Sequence, residues 1–219
     1  MLVGVATALV IVTVALVPLL TPQWMAFEQG RTNVTEWTGY SEAEVAAATN
    51  AILGDLVVGP PDFDVEIAGE PVLTERERGH MRDVRSVFVG LWILTIAGAV
   101  LLVVAWRADG AWFWRSVSRG ASTLAIAVLV VGAVALVAFD ALFEAFHRVF
   151  FAGGNYTFDP AQERLVQLFP FAFWQETAIV AGLLIVALSA VVAWFAVGRG
   201  RPAHASGSAT SPVRPEPVA

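Results

Sequence analysis

Four stretches of this chain, residues 2–20, 86–106, 120–139 and 177–198, contain no Asp, Glu, Lys, Arg or His. Each is close to the twenty or so residues that a helix needs to cross the hydrocarbon of a bilayer, so each reads as a transmembrane helix. The composition fits a chain dissolved in lipid, at 57% hydrophobic and 15% charged residues, too apolar for an ordinary soluble domain. The first stretch is not read as a cleaved signal. It has no basic residue ahead of it, is long for a signal's apolar region, and runs into Thr21-Pro22-Gln23-Trp24 without a small-x-small pattern.

The charges divide unevenly between the connecting segments. Residues 107–119 carry Arg107, Arg115 and Arg119 against Asp109, and the tail after Gly198 carries Arg199, Arg201 and Arg214 against Glu216. Segments 21–85 and 140–176 are net negative. Since short positive segments stay in the cytoplasm, the second loop and both termini are expected inside and the first and third loops outside. The expected architecture is an all-α membrane protein: one domain over 1–198 with four transmembrane helices and a small extracytoplasmic cap from loops 21–85 and 140–176. Residues 199–219, rich in Pro, Ser, Ala and Gly, read as a flexible cytoplasmic tail, where His204 is incidental.

The outer segments carry helix signals of their own. Ser41-Glu42-Ala43-Glu44 is a capping box ahead of Val45, Ala48, Ile52, Leu53 and Leu56, which recur at helical spacing. That helix should end near Gly59-Pro60-Pro61, with residues 62–71 extended or a small hairpin. Thr74-Glu75-Arg76-Glu77 is a second capping box, and it predicts that the second span's helix begins near Glu75, well outside the membrane. Residues 141–151 can continue the third helix until Gly153-Gly154 ends it. The aromatic run Phe169-Pro170-Phe171-Ala172-Phe173-Trp174 reads as an interfacial belt or as a lining for acyl chains.

With no Cys in the chain, thiol nucleophiles, disulfides and thiolate metal sites are excluded. Outside the tail, only His80 and His147 remain as histidines. Continuous helices would lift each about 10–12 Å above the hydrocarbon edge, so the two can meet. Glu77 and Glu144 lie three residues before them and Asp83 three after His80; a carboxylate can fix an imidazole tautomer and favour proton transfer. Arg82, Arg85 and Arg148 could stabilise an oxyanion nearby. The alternative is coincidence, with the charged residues merely solvating helix ends. Two His with scattered carboxylates give no metal-ligand spacing, and no Gly-x-Ser-x-Gly elbow or phosphate loop is present.

The arrangement resembles the lipoprotein intramolecular transacylases, a family of bacterial four-span membrane proteins. The resemblance rests on Glu36-Trp37-Thr38-Gly39-Tyr40-Ser41, His80-Met81-Arg82-Asp83-Val84-Arg85, Phe146-His147-Arg148-Val149-Phe150-Phe151, Phe158-Asp159-Pro160 and Leu168-Phe169-Pro170. It implies that an acyl chain moves from the glyceryl group of a diacylated lipoprotein to the amine of its own N-terminal cysteine, at the outer leaflet of the bacterial plasma membrane. No enzyme nucleophile is needed, because the substrate's amine attacks its own ester. On this resemblance His80 and His147 serve as base and acid in either order, Arg85 or Arg82 as oxyanion donor, and Asp83 or Glu144 as the partner of an imidazole. The reading includes the lipoprotein and the bilayer as partners, and no cofactor, metal ion or nucleic acid.

A reading of another class is a non-catalytic envelope protein whose acidic outer loops bind a partner or divalent cations. A transporter is disfavoured because the spans hold no charge to form an ion pathway.

Overall fold

Hydrocarbon offers a backbone no hydrogen-bond partner, so each segment that crosses it must bond within itself. The computed structural model meets that requirement with helices. It describes residues 1–151, 153–154 and 156–200. Most of the tail, with His204, and Asn155 of the sequence Asn155-Tyr156-Thr157 lie outside the described residues.

Helix α1 (Leu2–Leu16) is continued to Leu20 by a 3-10 turn, so that an apolar helical segment runs over Leu2–Leu20. Short helices α2 (Pro22–Arg31), α3 (Val34–Thr38) and α4 (Glu42–Val57) follow, then a two-stranded hairpin of β1 (Glu66–Ile67) and β2 (Glu70–Pro71). Helix α5 (Glu75–Ala108), α6 (Gly110–Phe150), the one-turn α7 (Arg164–Leu168) and α8 (Phe171–Gly200) complete the described residues.

Both expected capping boxes form. The Ser41 side chain accepts from the Glu44 N–H while Glu44 accepts from the Ser41 N–H, and Thr74 and Glu77 do the same at the start of α5. The structure departs from expectation at two places. The loop foreseen over 107–119 is almost wholly helical: Asp109 alone separates α5 from α6, its carboxylate capping the Trp112 N–H at 2.9 Å. No breaker lies between Gly110 and the third apolar stretch, so the helix starts at its cap. At its other end α6 stops at Phe150, before the glycine pair, and its backbone bends at Ala138 (φ −146°, ψ 43°). The part of α6 beyond the bend is packed on the start of α8, with Phe139 and Phe143 edge-on to Phe171 at 5.3 and 5.7 Å.

Helix α1 is the most enclosed of the four long apolar segments and touches the other three. Small residues permit this. Gly4 of α1 meets Gly120 of α6 backbone to backbone, and Gly98 of α5 lies against Ala6, the close approach on which helix association in lipid depends. Thr13 and Thr95 share a 2.7 Å hydrogen bond between α1 and α5. On the outside, Ile93, Ile96, Leu129, Val130, Leu136 and Leu183 are exposed, as side chains that face lipid should be.

The segments between spans build a cap with its own core. Val45, Ile52, Phe63, Leu73, Leu168 and Phe173 belong to one buried cluster that draws on α4, the hairpin region, α7 and α8. Gln29 stitches it together by donating to the Thr49 hydroxyl and the Leu168 carbonyl, at 2.9 and 3.0 Å.

A Cβ added to Gly120 would lie 2.5 Å from the Gly4 Cα, whereas one on Gly132 meets nothing within 4 Å. Gly120→Ala should therefore destabilise the protein by about 1–3 kcal/mol, and Gly132→Ala by less than about 0.5 kcal/mol. Thermal unfolding in detergent checks this; equal melting of the two variants would contradict the close α1–α6 contact.

Candidate active site

Where α5 and α6 emerge into the cap, they carry His80 and His147 to within 6.0 Å of each other, ring centroid to centroid, with the planes inclined by only 19°. That is inside the roughly 10 Å beyond which two groups cannot both reach one reacting atom. Both are buried, at 7% and 9% exposure. Phe151 serves both rings, at 4.7 Å from His80 and 5.4 Å from His147, and Phe158 lies edge-on to His80 at 5.4 Å. Phe143 and Tyr156 flank His147 at 4.2 and 5.1 Å.

One backbone contact sets the chemistry of His147. Its Nδ1 lies 2.8 Å from the Phe143 carbonyl oxygen. A carbonyl can only accept, so Nδ1 carries the proton and neutral His147 presents a lone pair at Nε2. The carboxylate expected in that place, Glu144, instead accepts from Arg148 at 2.8 Å and from the Tyr156 hydroxyl at 3.2 Å.

The remaining sequence-derived candidates are spread around α5. Arg82 pairs with Glu75, Arg85 donates to the Asp55 carbonyl, and Asp83 is exposed. None of the three lines the cavity at the histidines, while Glu144 does. Glu77 has no exposure at all. Its carboxylate accepts from the Thr74 N–H and hydroxyl and, at 2.7 Å, from the Leu165 N–H, which ties α7 to α5. Arg76 adds a second tie, pairing with Glu163 and lying 4.9 Å over the Phe158 ring. The segment that places Phe158 against His80 is thus held from the helix that carries His80. Among the described residues, no three His, Asp or Glu side chains group as metal ligands would.

The histidines open into a cavity of about 850 Å³ whose wall is predominantly apolar, with Leu19, Met25, Ile52, Leu56 and Phe88 among its side chains. Its size and lining suit an acyl chain, with few polar groups to fix orientation. Arg31 and Glu176 also border it and pair at 2.8 Å. Behind them Glu28 is buried at 1% exposure. Loss of water, followed by the hydrogen bond and charge of Glu176, pushes the Glu28 carboxyl from 4.5 up to about 7, with Arg31 opposing. Sequence reasoning missed this cluster, since Glu28 looks like any charge on a short helix and its partner is 148 residues away by number.

The sequence matches the family described as "Lipoprotein intramolecular transacylase Lit" over residues 1–174. The chain belongs to that family. Solved structures agree on the fold. The membrane integral lipoprotein intramolecular transacylase Lit from Bacillus cereus superposes with a TM-score of 0.70 at 18% identity, covering 90% of this chain and 93% of that one. Two variants of the same protein, with one histidine replaced by Arg or by Ala, give TM-scores of 0.64 and 0.65 at 16% identity, each over 90% of this chain and over 88% and 90% of theirs. Comparison with curated proteins gives no match. As a transacylase of this family the chain is an enzyme, and it is a multi-pass integral membrane protein.

The Glu28 carboxyl predicts a pH signature. A group whose pKa is raised on folding stabilises the fold fully below its ordinary value of 4.5, and that stability is lost as pH rises to about 7. Glu28→Gln should therefore melt progressively higher, relative to the native protein, as pH increases from 5 to 8. A constant difference in melting temperature would show that Glu28 is not held protonated.

Proposed function

We propose that this transacylase works at the outer leaflet of a bacterial plasma membrane, with both termini cytoplasmic, and that His80 and His147 form its reacting centre. The charge partition supports the orientation: it assigns the arginine-rich turn between α5 and α6 to the cytoplasm and the cap to the outside. The substrate is a diacylated lipoprotein whose glyceryl ester and N-terminal cysteine amine meet at the two imidazoles, while acyl chains occupy the apolar cavity. The single observation that carries this reading is the stacked, buried histidine pair at the end of that cavity.

The chemistry follows from the groups present. The amine loses a proton and its nitrogen attacks the ester carbonyl carbon; a tetrahedral oxyanion forms; the bond to the glyceryl oxygen then breaks and that oxygen takes a proton. His147 enters as an acceptor at Nε2, with Nδ1 committed to Phe143, and the pair carries the proton from amine to departing oxygen. Phe151 and Phe158, packed on the rings, keep water from competing with the amine for the ester.

The transfer leaves the substrate's mass unchanged, so its detection needs fragmentation that locates the acyl chain. In a host whose lipoproteins remain diacylated, expression of this protein should yield termini with one chain on the cysteine nitrogen and one on the glyceryl group. His80→Ala and His147→Ala should each slow that conversion by about 10²–10⁴-fold. Termini still diacylated on glycerol, with the native protein present in the membrane, would refute the reading.

A further inference from the structure

An acid–base pair accounts for the protons of this reaction, and the oxyanion needs a hydrogen-bond donor besides. The arginines of α5 are engaged elsewhere, Arg82 with Glu75 and Arg85 with the Asp55 carbonyl, and neither reaches the cavity wall. Arg31, which does, is paired with Glu176. Two of the cavity's threonine hydroxyls are also committed, Thr32 to the Glu28 carbonyl and Thr49 to Gln29.

Tyr156 is differently placed. Its ring lies 5.1 Å from that of His147 and its side chain lines the cavity. The hydroxyl donates to a Glu144 oxygen over a long 3.2 Å. That oxygen already receives the shorter 2.8 Å bond from Arg148, so Glu144 stays paired if the phenol turns away. Arg148 and the phenol therefore meet at one Glu144 oxygen.

We propose that Tyr156 is a catalytic residue of this enzyme, its hydroxyl turning from Glu144 to donate a hydrogen bond to the tetrahedral oxyanion formed beside His147. As the amine nitrogen bonds to the ester carbon, the carbonyl electron pair moves to oxygen, where the phenol holds it without transferring its proton. When the oxyanion collapses, the carbonyl reforms, the glyceryl oxygen leaves, and the hydroxyl returns to Glu144. The inference rests on the assignment of His80 and His147 as the reacting centre.

The test is steady-state kinetics of the full-length protein in lipid vesicles with a synthetic diacylated lipopeptide. Tyr156→Phe keeps the ring against His147 and removes only the hydroxyl, so kcat should fall about 10²–10³-fold, as for loss of one oxyanion donor, with KM within about threefold. A kcat within about threefold of native overturns the proposal. Should the phenylalanine variant fold poorly, a fluorinated tyrosine at 156 keeps the shape and acidifies the phenol. The alkaline limb of the kcat profile should then shift down with the phenol's acidity, and an unmoved limb overturns the proposal. The two failures are separable. A native protein without product refutes the histidine assignment and the reaction, whereas an active native protein with an active Tyr156→Phe variant refutes only the role of Tyr156.

Discussion

Helices that must pack without water between them come together through small residues, and here that contact is Gly4 against Gly120. It brings α1 against α6, and α1 also touches α5 and α8. The spans themselves hold no charged side chain over their apolar stretches. The proposed chemistry therefore belongs where α5 and α6 outrun the bilayer. A helix of 34 residues, as α5 is, measures about 51 Å against a hydrocarbon core of about 30 Å. The surplus carries His80, and the corresponding surplus of α6 carries His147.

Extending two helices does not by itself make a site, because exposed imidazoles would hydrolyse an ester as readily as transfer it. The cap supplies the enclosure. Glu77 and the Arg76–Glu163 pair fasten α7 and the segment before it to α5, and this brings Phe158 against His80. Phe151, just past the end of α6, closes over both rings. The bend at Ala138 lets the end of α6 lean on Phe171 of α8 instead of running straight outward. The polar groups thus act mainly on the backbone of the cap, while the walls that touch the imidazoles are aromatic.

The sequence made the spans, both capping boxes, the helix after Tyr40 and the meeting of His80 with His147 legible, because each depends on local pattern or on distance along a helix. Contacts that depend on which distant segment folds back were not legible. Glu77 read as a partner for an imidazole three residues away, yet its oxygens serve Thr74 and the far Leu165. Glu144 stood at the same spacing from His147, but the Phe143 carbonyl, one residue nearer the helix start, is what meets Nδ1. Every helical residue has such a carbonyl, so no side-chain pattern announces it. Arg82 and Arg85 shared a helix with His80 and could be expected beside it, but they lie off the cavity. Tyr156 sits in a connection without helical or strand periodicity, where position cannot be read from spacing.

At the centre of this account is the claim that His80 and His147 act on one reacting atom as a unit. Groups that act together lose nearly everything when either is removed, and removing the second then costs little more. The most direct measurement is therefore kcat/KM for the lipopeptide with His80→Ala, His147→Ala and the double variant, each shown to be folded in vesicles. The account predicts that the double variant is no slower than the slower single variant, within about threefold. Losses that multiply, so that the double variant falls by the product of the two, would mean that the histidines act independently and that the stacked pair is not the reacting centre.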